Sequence, residues 1–196
     1  VPGLNRLAPL AGQGRRISTV LAAADLNRLP PDDVDFLPLS YRDMWRRLSQ
    51  RPPDAALFAV SPPDRNGMCS FGTVCDVLPA LWPRIPVRIG LINPAMPRTS
   101  GAPMIPYADL TAVIEGESPL PEQVAPPSPQ AEQAGRHLAP LIPDGAVLQM
   151  GLGQMPEGVL QALRGHRGLR IHSGLIGESV LDLLEAGALA SGHSID

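Results

Sequence analysis

The stretch DGAVLQMGLGQMPEGVLQALRGH, residues 144–166, carries the clearest structural signal in the chain. Residues 146–150 form a short apolar run of strand length, and the turn pair Asp144-Gly145 precedes it. Two glycines follow the run. Pro156 then suits the first turn of a helix, where its missing N–H group leaves no hydrogen bond unmade. The helix has an apolar stripe made of Val159, Leu160 and Leu163. The stretch therefore predicts a strand, a glycine turn and a helix.

The glycine turn is a candidate binding site for negative charge. Two glycines after a strand let a substrate approach the backbone closely. The helix that follows presents unpaired N–H groups and the positive end of its dipole, which suit a phosphate, a carboxylate or the oxyanion of an acyl-transfer intermediate. From this motif alone, a tight turn that binds no ligand is an equally good interpretation. The candidate residues are Gly151, Gly153, Gln154, Met155 and Pro156.

Apolar runs of strand length alternate with helical patterns along the rest of the chain. The clearest strands are residues 54–60, Val87–Ile92 and the shorter Ala112–Glu115, and the near-continuous apolar run 54–60 is typical of a strand buried on both faces of a parallel sheet. This alternation predicts an α/β fold with an open, mainly parallel sheet flanked by helices. The other predicted strands are 17–21, 35–39 and 169–175, and the other predicted helices are Tyr41–Gln50, 73–82, 131–141 and 178–185.

Two proline-stiffened loops follow consecutive predicted strands, residues 61–67 and residues 93–99. Ligands of open α/β sheets bind at the carboxyl ends of the strands, so these loops are expected to shape a pocket. Arg98 can bind an anion there, and a surface salt bridge is the alternative interpretation. The candidate pocket residues of the second loop are Asn93, Met96, Pro97 and Arg98.

Composition limits the classes of function. The 196 residues are 44% hydrophobic and 18% charged with a net charge of −3, which is typical of a globular chain and argues against nucleic acid as a partner. All sixteen basic residues are arginine, so no lysine of this chain can form a Schiff base. Cys69 and Cys75 match no zinc spacing and predict buried free thiols, and we expect no metal site. Without a membrane-length apolar run or signal pattern, we expect a cytoplasmic protein that does not bind membranes.

Several of these segments together resemble the acetyl-CoA hydrolase/transferase family, a group of family I CoA transferases. The resemblance extends from residue 35 across nearly the whole remaining chain. The matching segments are Val60-Ser61-Pro62-Pro63-Asp64, Asn93-Pro94-Ala95-Met96-Pro97-Arg98-Thr99, Asp144-Gly145, Gly151-x-Gly153-x-x-Pro156 and Ile171-His172-Ser173.

The resemblance implies an activity and a place for this chain in it. It implies the transfer of CoA between an acyl-CoA and a small carboxylate through a glutamyl-CoA intermediate, with coenzyme A as part of the substrate. The nucleophilic glutamate of the family lies in a segment that this chain does not contain. We therefore expect residues 1–196 to be a single, truncated N-terminal domain that self-associates, for example as a dimer. Many relatives carry glutamate where this chain has Gly174, so any role of that glutamate is absent here.

Three alternatives stay open beside this interpretation. Glu157, Glu178 and His172 are the chain's own candidates for catalysis, but the two acids fit helix first turns and the histidine fits a structural role. A dinucleotide-binding turn is disfavoured because Pro156 stands where a third glycine is expected. A module that binds CoA or a carboxylate without turnover cannot be separated from the transferase by sequence.

Overall fold

The computed structural model describes residues 7–21, 25–73, 76–99, 103–120, 126–192 and 195. The chain divides into two compact units, Val1–Pro121 and Glu122–Asp196. Parallel strands and helices alternate in both units, which confirms the predicted α/β class. The expectation that residues 1–196 form one N-terminal domain stays a prediction.

The first unit contains most of the strands. Its elements are β1 (Ile17–Thr19), β2 (Val34–Phe36), α1 (Tyr41–Gln50), β3 (Ala55–Val60), β4 (Met68–Ser70), α2 (Leu78–Leu81), β5 (Val87–Ile92), β6 (Met104–Pro106) and β7 (Ala112–Glu115). Helix α1 has the predicted bounds, and the Ser40 side chain caps it by accepting from the Asp43 N–H group at 3.2 Å. Strands β1 and β2 pair in parallel, apart from the main sheet.

A three-stranded parallel sheet with the order β3-β5-β7 forms the centre of the first unit. Strands β5 and β7 have the predicted bounds, because apolar and β-branched runs favour strands. Strand β3 is buried on one face only, so the predicted burial of residues 54–60 on both faces is wrong. One face of the sheet is packed. Its core consists of Phe58, Val60, Cys69, Phe71, Ile92 and Ile105. The opposite face is apolar and open, with Leu57 73% exposed and Ile114 55% exposed.

The predicted loops and helix of this unit need three corrections. Strand β4 follows the first proline-stiffened loop and pairs antiparallel with β6, and neither strand was predicted. Each is only three residues long, too short for a period-2 pattern to be visible. Of the helix predicted over 73–82, the structure has only Leu78–Leu81, followed by the 3-10 turn Trp82–Arg84, since prolines interrupt the segment. Residues 74 and 75, with Cys75, lie outside the described residues.

The second unit is mostly helical. Its elements are α3 (Pro129–Leu138), the 3-10 turn Ala139–Leu141, β8 (Val147–Leu148), α4 (Gln154–Ala162), β9 (Arg170–Ile171) and α5 (Ser179–Glu185). The predicted strands 146–150 and 169–175 are much shorter here, as a two-residue parallel pair. The core contains Leu160, Leu163, Leu169, Ile171, Val180 and Leu183, so the predicted buried stripe of α4 is confirmed for its two leucines.

Helices α3 and α4 approach so closely that their backbones touch. A methyl group on Gly158 would overlap the carbonyl group of Ala131, and a methyl group on Gly135 would overlap the carbonyl group of Gly158. Glycine inside a helix costs about 1 kcal/mol relative to alanine. The contact offsets that cost, because it lets α4 pack directly on α3 and thereby fixes where the glycine turn before α4 lies within this unit.

We predict that Gly158→Ala destabilises the chain. Overpacking costs about 1–3 kcal/mol, and the gain in helix propensity returns about 1 kcal/mol, so we expect a net loss of up to about 2 kcal/mol in the free energy of unfolding. Urea unfolding followed by circular dichroism measures this loss. Gly165→Ala is the matched control, because no atom lies within 4 Å of the added methyl group. Equal stability of the two variants would refute the backbone contact.

Candidate functional site

The glycine turn of the second unit joins β8 to α4. Gly153 precedes the helix with φ +124°, a conformation that side-chain-bearing residues rarely adopt, so a glycine is required here. Residues 151–155 are all exposed, and Pro156 lies in the first helical turn as predicted. The Glu157 N–H group donates to the Gly153 carbonyl oxygen at 3.2 Å. The N–H groups of Gln154 and Met155 precede that bond and have no acceptor within the helix.

This geometry gives the turn two exposed backbone donors at the positive end of a helix. Such donors can stabilise a carboxylate or a developing oxyanion without reorganising when charge appears. The five residues predicted for the turn lie together at this one place, because they are contiguous and the helix begins among them. Their contact with a substrate stays a prediction.

The segment that follows β9 contacts both ends of the turn, through the Ser173 side chain at one end and the Ser179 backbone at the other. The Ser173 hydroxyl lies within hydrogen-bonding distance of the carbonyl oxygens of Met150, at 3.0 Å, and Leu175, at 2.7 Å, which share its single proton. The Glu157 carboxylate accepts from the Ser179 N–H group at 3.3 Å, at the start of α5. Glu157 was expected only to complement the dipole of its own helix. Its contact with Ser179 joins residues 22 positions apart, so no local sequence pattern predicts it.

Asn93, a candidate residue of the first unit, is a structural link. Its side chain is buried, 2% exposed, at the carboxyl end of β5. The side-chain amide donates to the Ser118 carbonyl oxygen at 2.7 Å and accepts from the N–H groups of Ala95 and Ser118 at 3.1 and 3.2 Å. Asn93 therefore joins the loop after β5 to the segment after β7, and its polar atoms are occupied by backbone groups.

The loop 93–99 also packs against the chain that follows β4. Met96 is buried against Gly72, where a methyl group would overlap the methionine side chain, while Pro97 is exposed. The Thr99 hydroxyl donates to the Gly72 carbonyl oxygen at 3.0 Å. The Ser70 hydroxyl accepts from the N–H groups of Gly72 and Thr99 at 3.0 and 3.3 Å. The loop 93–99 is thus bonded to β4 and to the residues directly after it.

Arg98 forms the salt bridge that the sequence left as an alternative. Its guanidinium donates to Asp64 Oδ2 at 2.9 Å and to the Met68 carbonyl oxygen at 3.0 Å. Asp64 Oδ1 accepts from the N–H groups of Met68 and Asn66 at 2.8 and 2.9 Å. Arg98 therefore has a carboxylate partner already, and an incoming anion would compete with Asp64 for it.

Electrostatics at this salt bridge follow from these contacts. The Met68 N–H group lowers the pKa of Asp64 most, burial opposes it, and the Asn66 N–H group and Arg98 lower it further. Ionised Asp64 thus favours the folded state above its ordinary pKa, and this contribution is lost as pH falls through the lowered value. Burial raises the pKa of the neighbouring Cys69 thiol, which is free and buried as predicted.

Two further features are absent from the residues that the structure describes, a cluster of metal-binding side chains and a membrane-length helix. In those ranges no group of three or more His, Cys, Asp and Glu side chains is placed to hold a metal ion. No helix in the described part of the chain is long and apolar enough to cross a membrane. His172 is exposed, and its backbone N–H group donates to the Leu148 carbonyl oxygen at 2.9 Å, which extends the pairing of β9 with β8.

Comparison with known proteins identifies the family. No protein-family model matches the chain. The 4-hydroxybutyrate coenzyme A transferase of Clostridium kluyveri is 39% identical over 159 residues, which cover 80% of this chain and 37% of that protein. The succinyl-CoA:acetate/propanoyl-CoA:succinate CoA transferase of Fasciola hepatica is 33% identical over 165 residues, which cover 83% of this chain and 34% of that protein.

Solved structures agree with these sequence matches. RipA from Yersinia pestis superposes with a TM-score of 0.77 at 27% identity, over 87% of this chain and 42% of RipA. The 4-hydroxybutyrate CoA-transferase from Porphyromonas gingivalis superposes with a TM-score of 0.74 at 31% identity, over 93% of this chain and 49% of that structure. The chain thus spans between a third and a half of the length of these relatives. Sequence and fold together show that the chain belongs to the CoA-transferase family.

Proposed function

We propose that this chain is the N-terminal part of an acyl-CoA:carboxylate CoA-transferase and that its glycine turn binds the reacting acyl oxygen. The observation that carries the proposal is the pair of exposed, unpaired N–H groups of Gln154 and Met155 at the start of α4. Relatives that match most of this chain are CoA transferases, which supports a thioester as the substrate class. A cytoplasmic location is part of the proposal.

In the proposed reaction, a glutamate outside this chain attacks the acyl-CoA. Its carboxylate oxygen adds to the thioester carbonyl carbon, the C–S bond breaks, and the CoA thiolate leaves an acyl-glutamyl anhydride. The thiolate then attacks the glutamyl carbonyl carbon, which releases the first carboxylate and forms a glutamyl-CoA thioester. Each addition places negative charge on a carbonyl oxygen. One donor in an oxyanion hole contributes about 3–4 kcal/mol to such a step, which is the role we assign to the turn.

Carboxylates near the turn are poor candidates for that nucleophile. Glu157 Oε2 accepts a hydrogen bond from the Ser179 N–H group, and its other oxygen lies in the space beside Gly177, so the carboxylate is held at the start of α5. Glu178 is the exposed residue that precedes the first turn of α5, where a negative charge complements the helix dipole. We therefore assign no catalytic residue within these 196 residues. Whether a second carboxylate takes CoA from the glutamyl-CoA thioester, or water hydrolyses that thioester, decides between transferase and hydrolase activity.

We predict that the folded chain alone does not exchange labelled acetate into acetyl-CoA, because it lacks the nucleophile. The measurement is the label found in acetyl-CoA after incubation, with circular dichroism confirming that the sample is folded. Exchange would overturn the assignment of the nucleophile to another segment. Borohydride trapping of the glutamyl thioester, with Glu157→Gln and Glu178→Gln, would then identify which carboxylate reacts.

The second candidate is a module that binds CoA or a carboxylate without turnover, since the exposed N–H groups of the turn serve binding as well as catalysis. Isothermal titration of the chain with acetyl-CoA tests what both candidates share. Absence of binding would count against both. Binding without activity, even after the rest of the relatives' length is supplied as a second polypeptide, would favour the module.

The Arg98 salt bridge permits a direct test of carboxylate binding in the first unit. If a small carboxylate binds Arg98, it competes with Asp64, and the pKa of Asp64 rises towards its ordinary value. The pKa stays below that value, because the N–H groups of Met68 and Asn66 remain. Carboxyl carbon NMR titration in trifluoroacetate, compared with chloride at equal ionic strength, measures the shift.

Two variants control this titration. Arg98→Gln should raise the pKa of Asp64 and abolish the effect of trifluoroacetate. Arg164→Gln removes the separate ion pair between Arg164 and Asp182, which has the same 2.9 Å distance, and should leave Asp64 unaffected. If trifluoroacetate acts on Asp64 no more than chloride does, Arg98 is a structural residue and not part of a substrate site.

We also propose that the chain self-associates through the open face of its parallel sheet. The register places Leu57 beside Ile89, and Leu91 beside Ile114, on that face. Leu57 and Ile114 are both more than half exposed, and contiguous exposed apolar surface favours association.

We predict that light scattering at high concentration gives a mass above that of the monomer. The double variant Leu57→Ser/Ile114→Ser should move the mass towards the monomer, because it removes apolar side chains from the sheet face. Leu181→Ser is the matched control, since Leu181 is 53% exposed on α5 in the other unit. A monomeric wild-type chain, or an equal effect of the control, would contradict association through this face.

A further inference from the structure

The glycine turn has almost no packing that would hold its shape. Residues 151–155 are exposed, and a methyl group on Gly151 or Gly153 would meet no atom within 4 Å. Backbone donors stabilise a developing charge only when their direction is fixed beforehand. A turn with this task therefore needs supports at its two ends, and the structure has one at each.

The first support lies where the chain enters the turn. The ladder between β8 and β9 extends to the His172 N–H group, which donates to the Leu148 carbonyl oxygen. The backbone of β9 does not bond to Met150. Instead, the Ser173 hydroxyl donates to the Met150 carbonyl oxygen at 3.0 Å. The same hydroxyl lies 2.7 Å from the Leu175 carbonyl oxygen, which bends its own loop back. Ser173 thus fixes the residue immediately before Gly151.

The second support lies where the chain leaves the turn. Glu157 is in the first turn of α4, and its carboxylate reaches the start of α5 to accept from the Ser179 N–H group. The residue before α5, Glu178, makes no side-chain cap of its own, so Glu157 supplies it from another helix. Gly177 leaves the necessary space, because any side chain at that position would overlap Glu157 Oε1.

We propose that Ser173 and Glu157 are positioning residues that clamp the glycine turn from its two ends and keep the N–H groups of Gln154 and Met155 directed at the substrate. The identity of the substrate, an acyl thioester, rests on the proposed function. The two contacts that form the clamp do not. Gly177 belongs to it as the space that the Glu157 carboxylate occupies. Neither side chain reacts, and each acts through the backbone of the turn.

The test compares Ser173→Ala, Glu157→Ala and their combination. Alanine is the best helix former, so Glu157→Ala leaves the propensity of α4 intact and removes only the carboxylate contact. NMR relaxation of the amides of residues 151–155 should give order parameters that fall from about 0.85 towards about 0.6 in the double variant. Binding of acetyl-CoA should weaken several-fold to tenfold. Glu157→Gln retains an acceptor for the Ser179 N–H group and should restore most of both readouts.

Controls and outcomes separate the clamp from the proposed function. Glu178→Gln and Ser191→Ala change an acid and a serine that are exposed and make no hydrogen bond to the turn, so both should behave as wild type. Absence of acetyl-CoA binding by the wild-type chain would count against the proposed function, and the relaxation measurement alone would still decide the clamp. Unchanged order parameters in the double variant would refute the clamp. A looser turn that binds acetyl-CoA as tightly as wild type would refute its positioning role.

Discussion

The second unit depends on the absence of two side chains, at Gly135 and Gly158, where α3 and α4 touch through their backbones. Cores pack at high density, so a methyl group between two backbones cannot be absorbed by rotating a side chain. The contact fixes the axis of α4 and with it the position of the turn that precedes the helix. A helix held by longer side chains would keep the same donors but hold them less firmly. The position of the proposed binding turn therefore depends on packing several residues away from it.

In the first unit the corresponding constraint is the pairing of polar groups. The loops after β3 and β5 are stiffened by proline, and the pair of Asp64 and Arg98 joins them. Ser70 bonds the loop after β5 to β4, and Asn93 bonds it to the segment after β7. Asn93 and Ser70 are buried, and a buried polar group without a partner costs about 1–3 kcal/mol. Each bond in the network thus excludes loop arrangements that would break it. The same residues that looked available for a ligand in the sequence are the ones that hold the loops together.

The sequence predicted elements well where local pattern and tertiary environment agree. Helix α1 and strands β5 and β7 have the predicted bounds, because capping and long apolar runs act within a few residues. Strands β4 and β6 were missed, since three-residue strands owe their pairing to a partner more than thirty residues away. The predicted strands around β8 and β9 were too long. The chain turns away near glycine and serine residues at their ends, so only two residues of each strand are paired. A local sequence pattern shows which residues can form a strand. The neighbouring strand decides which of them do.

The same distinction between local pattern and long-range contacts applies to the candidate site. The turn from Gly151 to Pro156 was predictable, because its candidate donors are the backbone N–H groups that the start of any helix leaves without an acceptor inside the helix. The contacts of Arg98 with Asp64 and of Glu157 with Ser179 were not predictable, because each pair joins residues more than twenty positions apart. This difference bears on catalysis. A carboxylate that caps a second helix would have to break that cap in order to attack a thioester, so a nucleophile is better supplied by a group without a structural bond. If the turn binds the substrate through its backbone N–H groups, as proposed, Ser173 and Glu157 hold it through other atoms. The turn can then be rigid while those N–H groups stay available.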